Sequence, residues 1–92
     1  MIRTFRHDGL RNFFETGSTR RIIPQMATRL EVRLDTMNDA TDVLELDRAG
    51  WRLHQLVGNL AGFWSITINQ NWRITFRFEN GDCYDVDLLD YH

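Results

Sequence analysis

From Trp51 onward the apolar residues of this chain recur at every second position. Trp51, Leu53 and Val57 alternate with Arg52 and His54. Trp64, Ile66 and Ile68 alternate with Ser65, Thr67 and Asn69. Trp72, Ile74, Phe76 and Phe78 alternate with Arg73, Thr75 and Arg77, and Tyr84, Val86 and Leu88 with Asp85 and Asp87. A period of two belongs to extended chain, whose successive side chains point to opposite faces. Four such segments in a row predict an antiparallel meander with one apolar face. A chain of 92 residues can build one modest core, so a single domain over residues 1–92 is expected.

The first half supplies the cover for that face. Ile2 to Arg6 is a short strand candidate. Asp8 is placed to cap a first helix, with Leu10, Phe13 and Phe14 at helical spacing and Gly17 as its stop. His7 reads as part of that helix's entry turn. Ser18 to Ile23 is a loop carrying Arg20 and Arg21, and Pro24 fits the first turn of a second helix. Ala27, Leu30, Leu34 and Met37 recur at three and four residues, leaving Arg29 and Arg33 on other faces. A short helical turn within Asp39 to Leu46 and a loop from Asp47 to Gly50 complete this half. Helices preceding strands give an α+β fold: an N-terminal strand and two helices packed on a mainly antiparallel sheet.

The last hairpin poses a register problem. Asn80-Gly81 favours a two-residue turn. That register sets Phe76 opposite Asp85, although opposed residues share a face. A three- or five-residue loop centred on Gly81 repairs it. Phe78 then faces Tyr84, Phe76 faces Val86, Ile74 faces Leu88 and Trp72 faces Asp90, with Arg77 beside Asp85 on the open face.

Charge is unevenly spread. The net charge is −2, yet residues 1–33 hold seven Arg against three acids and residues 34–50 hold five acids against one Arg. A basic patch can therefore exist on an acidic protein. The acids Asp35, Asp39, Asp42, Glu45 and Asp47 read as a solvated face, with a docking surface for a basic partner as the alternative. All eleven basic residues are Arg, so no lysine can serve as base, acid or Schiff-base nucleophile. Arginine instead grips phosphate bidentately. The single cysteine, Cys83, excludes an internal disulfide and suits a reducing, cytoplasmic setting. The first residues carry no apolar run of the signal-peptide kind, and no segment is long and apolar enough to span a membrane.

Chemistry concentrates where the last strand ends. Asp90, Tyr91 and His92 offer an acid, a phenol and an imidazole. Continued alternation puts Asp90 and His92 on the apolar side beyond the covered part of the sheet. Tyr91 falls on the open face with Arg73 and Arg77. The trio is either a reaction corner or an exposed tail. His54 lies on a strand of the same sheet, beside Arg52, as a solvated residue or a catalyst. Zinc bound by His54, Asp90 and His92 is conceivable, but no tight ligand spacing supports it. Gly58-Asn59 and Ala61-Gly62 frame a strand connection, and phosphate-cradle motifs are absent.

Several stretches, in order and at matching spacing, carry a family likeness. They are Leu53-His54-Gln55-Leu56-Val57-Gly58-Asn59, Ala61-Gly62-Phe63-Trp64-Ser65-Ile66, Asn71-Trp72-Arg73-Ile74-Thr75-Phe76 and the terminal Asp90-Tyr91-His92. Together with the opening Met1-Ile2-Arg3-Thr4-Phe5 and with Asp39-Ala40-Thr41-Asp42, they resemble HigB-type toxins of the RelE superfamily over the full length.

The resemblance implies the toxin of a bacterial toxin–antitoxin pair. Such toxins are metal-independent endoribonucleases, needing no cofactor, that enter the ribosomal A site and cut the bound messenger. The RNA's 2′-hydroxyl attacks the adjacent phosphate, leaving a 2′,3′-cyclic phosphate and a 5′-hydroxyl. The implied partners are the 70S ribosome with its messenger and a helix-turn-helix, HigA-like antitoxin, through which operator DNA is reached indirectly. By the match, His54, Asp90, Tyr91 and His92 occupy the family's active-site positions and Arg73 its sheet arginine. His92 and Asp90 are expected to transfer protons, Arg73 to carry phosphate charge and Tyr91 to orient the RNA. Arg52, Asn71 and Arg77 are the expected RNA contacts. One position departs: relatives with the Leu-His-x-Leu pattern often carry Lys where this chain has Val57. That departure opens an alternative, a weakened toxin fold acting as an antitoxin-bound co-repressor.

Overall fold

The computed structural model describes residues 1–91. It contains helices α1 (Asp8–Thr16) and α2 (Ala27–Asp39), then strands β1 (His54–Gln55), β2 (Trp64–Thr67), β3 (Trp72–Glu79) and β4 (Asp82–Asp90). Single 3₁₀ turns at Pro24–Met26, Val43–Leu46 and Gly58–Leu60 join them. The strands form one antiparallel sheet in the order β1-β2-β3-β4, the expected meander.

The cap of α1 is His7, not the expected Asp8. The His7 Nδ1 accepts the Leu10 N–H at 2.9 Å, as the oxygen of a Ser or Asp cap would. Asp8 stands one residue inside, where its carboxylate suits the positive end of the helix and pairs with Arg11 at 3.1 Å. Gly17 ends the helix at φ +78, its N–H returning to the Phe13 carbonyl.

On α2 the buried residues are Leu30, Arg33, Leu34 and Met37. Arg33 completes the i, i+3, i+4, i+7 stripe, so its expected place on another face is corrected: it is 7% exposed. It enters the core because its charged end finds acceptors. Its Nε donates to the Thr67 carbonyl at 2.9 Å and its terminal nitrogen to the Arg29 carbonyl at 3.2 Å. The guanidinium lies over the Trp51 ring, 4.7 Å from the centroid. Burial, then Arg29, lower its pKa from the usual arginine value.

Two strand expectations change. The Trp51–Val57 segment forms a regular ladder at His54–Gln55, with single backbone bonds at Trp51 and Leu56 on either side. Gly50 and Arg52, at φ +83 and +52, break the extended chain before it, leaving Trp51 buried in a turn and Val57 86% exposed. The N-terminal segment runs parallel to β4 through two bridges, Ile2 to Cys83 and Phe5 to Val86. It covers that sheet edge without becoming a continuous strand.

The β3–β4 turn is two residues long, Asn80-Gly81 with Glu79 opposite Asp82, so the expected longer loop does not form. Both turn residues have positive φ, +52 and +83, as a type I′ turn requires. The slip is absorbed further along. Arg77 pairs with Tyr84 but Thr75 with Asp87, so Asp85 and Val86 together oppose Phe76. Asp85, at φ +54, is the extra residue of a β-bulge. Before the bulge the buried β4 residue is Cys83, not Tyr84, and Phe78 pairs with Cys83. Tyr84 joins Arg77, whose guanidinium lies 5.4 Å from its ring centre. Beyond the bulge, Ile74 faces Leu88 and Trp72 faces Asp90 as expected.

Ile66, Ile74, Phe76, Cys83, Val86 and Leu88 of the sheet pack against Leu10, Met26, Leu30, Leu34 and Met37 of the helical layer. Fully burying a side chain of this kind contributes about 1.5–3 kcal/mol. Burial also pushes the Cys83 thiol up to about 12, which keeps it protonated. The opposite face of the sheet carries polar residues, of which the central Ser65 and Thr75 are buried as well.

Candidate active site

Residues opposed across a ladder share a face, so the register defines what this surface carries. His54 faces Ser65, Ser65 faces Thr75 and Thr75 faces Asp87, forming one row across all four strands. The next row is Thr67, Arg73 and Leu89. One step further, the Tyr91 N–H donates to the Asn71 carbonyl at 2.9 Å, extending the β3–β4 ladder past Asp90.

Tyr91 is therefore tied to the sheet rather than trailing from it. Its phenol oxygen shares a 2.7 Å hydrogen bond with Thr67 Oγ1. The Arg73 guanidinium sits 5.1 Å from the centre of its ring. Arg73 has no ion pair among the described residues, and its Nε is buried without a hydrogen-bond partner among them. An arginine without a carboxylate partner among the described residues is thus held against a half-exposed phenol.

His54 is oriented by backbone. Its Nδ1 lies 2.8 Å from the Arg52 carbonyl oxygen. A carbonyl can only accept, so this nitrogen carries the proton and donates. In the neutral ring the lone pair then belongs to Nε2. The aim of that carbonyl follows from the left-handed backbone of Arg52, which few residues other than glycine adopt readily.

These parts border one depression of about 370 Å³, lined by Arg52, His54, Thr67, Asn69, Gln70 and Tyr91. The turn between β2 and β3 forms one wall. Asn69 Oδ1 accepts the N–H groups of Asn71 and Trp72 at 2.8 and 3.0 Å, fixing the turn. A hollow of about 400 Å³ on the helical side is lined by Phe13, Phe14, Ala27 and Leu34 together with Gly17, Thr19, Glu31 and Asp35, and so offers carboxylates but no cation or imidazole.

Of the residues expected from sequence, Arg52, His54 and Tyr91 meet at this depression, with Arg73 on the ring of Tyr91 and Asn71 holding its backbone. Asp90 is exposed at the strand end, opposite Trp72. His92 lies outside the described residues. Arg77 is not brought in. It stands four residues from Arg73 on one strand, roughly 13 Å at ~3.3 Å per residue. It donates to Asp85 at 2.9 Å and Glu79 at 2.8 Å, and these carboxylates, Asp85 foremost, raise its pKa. Its charge is already answered. Thr67, Asn69 and Gln70 escape a sequence reading because nothing but their place near the β2–β3 turn marks them.

An antiparallel meander covered on one face by two helices is consistent with a RelE-like fold. A model of the HigB-like toxin family, described as RelE-like toxin of type II toxin-antitoxin system HigB, matches residues 3–92. The sequence is also 46% identical, over 100% of both chains, to Endoribonuclease HigB of Proteus vulgaris. The chain belongs to the HigB-like toxin family, whose members act opposite an antitoxin in a type II system. Family and relative together place it among the endoribonuclease toxins. Among the described residues no helix is long and apolar enough to cross a membrane.

Proposed function

We propose that this protein cuts messenger RNA in the A site of the 70S ribosome and so stops translation in the cytoplasm. The observation that carries the reading is the convergence of Arg52, His54 and Tyr91 on one depression, with the Arg73 guanidinium against the ring of Tyr91. The cut would proceed by attack of the RNA's own 2′-hydroxyl on the neighbouring phosphate. This needs a base, an acid for the leaving 5′-oxygen, and positive charge on the phosphorane; it needs no metal.

Arg73 would supply the charge, an effect worth roughly 10²–10³-fold. Asp90 and His92 would exchange the protons, worth roughly 10²–10⁴-fold. His54, presenting Nε2, is a further acceptor for the 2′-proton. Tyr91 would orient the RNA, and Arg52 and Asn71 would hold its flanks. Placing the scissile phosphate in line contributes as much again, and the ribosome would provide that placement. A helix-turn-helix antitoxin of the HigA kind would be the partner, with operator DNA reached through it.

Cell-free translation followed by primer extension tests this. Cuts at codon-spaced positions in translated message, and none in the same RNA without ribosomes, are expected. Cutting of naked RNA at a comparable rate would mean a free ribonuclease. No cutting by folded protein would favour the second reading, an antitoxin-bound co-repressor of weakened activity. The exposed Val57, three residues beyond His54, is what supports that alternative.

A further inference from the structure

Thr67 uses every polar group it has on a different part of the chain. Its N–H donates to the Trp51 carbonyl at 2.6 Å. Its own carbonyl accepts from Arg33 Nε of α2 at 2.9 Å. Its hydroxyl meets the Tyr91 phenol at 2.7 Å. Three elements that share no strand pairing are therefore joined at one residue of β2: the turn before β1, the second helix, and the end of β4.

The anchoring side is rigid. Arg33 is 7% exposed, lies over Trp51 and has no carboxylate in ion-pair range among the described residues. Neighbouring Arg29 adds a bond to the Ile68 carbonyl at 3.2 Å. Two helix arginines thus hold consecutive carbonyls at the end of β2. The Tyr91 side is less constrained. Among the described residues its backbone is held by one ladder bond, to Asn71. The Arg73 cation lies against the ring, an attraction that limits distance without fixing where along its plane the ring points. The Thr67 hydroxyl supplies that missing restraint. A strand position needing only shape would accept valine equally well.

We infer that Thr67 is a positioning residue, anchored from α2 through Arg33, that fixes the Tyr91 phenol at the rim of the candidate site. The inference rests on the proposed role of Tyr91 in orienting RNA, and the test separates the two. The protein contains two tyrosines, Tyr84 and Tyr91, so labelling with 3-fluorotyrosine gives two fluorine resonances. Thr67→Val should move the Tyr91 resonance and leave that of Tyr84 in place. Thr67→Ser should restore it.

In ribosome-programmed cleavage, Thr67→Val should lower the rate at saturating substrate by roughly tenfold, the scale of one lost hydrogen bond, with KM nearly unchanged. Thr67→Ser should recover most of that rate. Tyr91→Phe should lose a similar amount, and the double variant no more than either alone. An unmoved Tyr91 resonance in Thr67→Val overturns the inference. A moved resonance with undiminished cleavage leaves the contact standing and overturns the role of Tyr91 on which its catalytic meaning rests.

Discussion

Arg33 Nε donates to the carbonyl of Thr67 at 2.9 Å, from a helix to the end of a strand, with Trp51 beneath the guanidinium. Removing the arginine strips the Thr67 carbonyl of this donor, takes the extra side-chain bond from the Arg29 carbonyl, which keeps its helical N–H, and uncovers the indole. Arg33→Ala should cost about 2 kcal/mol, from charged hydrogen bonds and lost stem packing. For a domain of this size that is roughly 8–16 °C in Tm. Arg33→Lys, which cannot span both carbonyls with a planar fork, should fall between. Calorimetry on the three proteins checks the order, and equal melting points would show that the buried guanidinium stabilises nothing.

The bulge at Asp85 yields a second prediction. Asp85 holds φ +54 and gives its carboxylate to Arg77 at 2.9 Å. Asp85→Asn keeps a residue tolerant of left-handed backbone, so its effect should be small. Asp85→Val puts a β-branched side chain there and should cost about 1–2 kcal/mol more. Denaturant melts compare them. Equal losses in both variants would mean that the ion pair, not the backbone, governs the position.

This hairpin also marks where the sequence is legible and where it is not. Ile74 opposite Leu88 and Trp72 opposite Asp90 follow from alternation alone, because one buried face punishes a slip along the whole strand. The Asn80-Gly81 turn and the alternation contradict each other by one residue. That conflict is visible in the sequence, but its resolution is not. A longer loop and a bulge both repair the count, and the bulge keeps the favoured turn by placing the distortion at an Asp that tolerates it. Arg33 was readable in principle, since it falls on the stripe of Leu30 and Met37. Its burial depends on carbonyls that only the folded β2 supplies. Tyr91 could be placed on the open face from its spacing, whereas Thr67 as its partner required the ladder.

Acid should loosen the turn that follows α2. Glu45 accepts the N–H groups of Thr41 and Asp42, both at 2.8 Å, closing a capping box with Asp42. These backbone bonds, Thr41 first, hold its carboxyl below the ordinary glutamate value. A depressed folded pKa gives stability that is present above the unfolded value, near 4.3, and lost as pH falls through the lower folded value. Wild type should therefore melt above Glu45→Gln at pH 6, and the two should converge toward pH 3. A difference independent of pH would assign the effect to shape rather than to charge.

Val57 is the position where adding a group should raise activity. It is 86% exposed and lies just before the Gly58–Leu60 turn, three residues beyond His54. The family resemblance of the Leu53–Asn59 stretch leads to the expectation of a lysine there. The substitution removes an exposed apolar surface and no packing, so Val57→Lys should leave the melting temperature almost unchanged. A cation on this rim would add a screened attraction for the RNA backbone. It should therefore raise cleavage by several-fold at low salt, on the order of threefold to tenfold, and by less as the ionic strength rises. Val57→Gln, a polar control without charge, should not. If lysine changes nothing at low salt, the phosphate is already held by Arg52 and Arg73, and the departure at this position has no catalytic consequence.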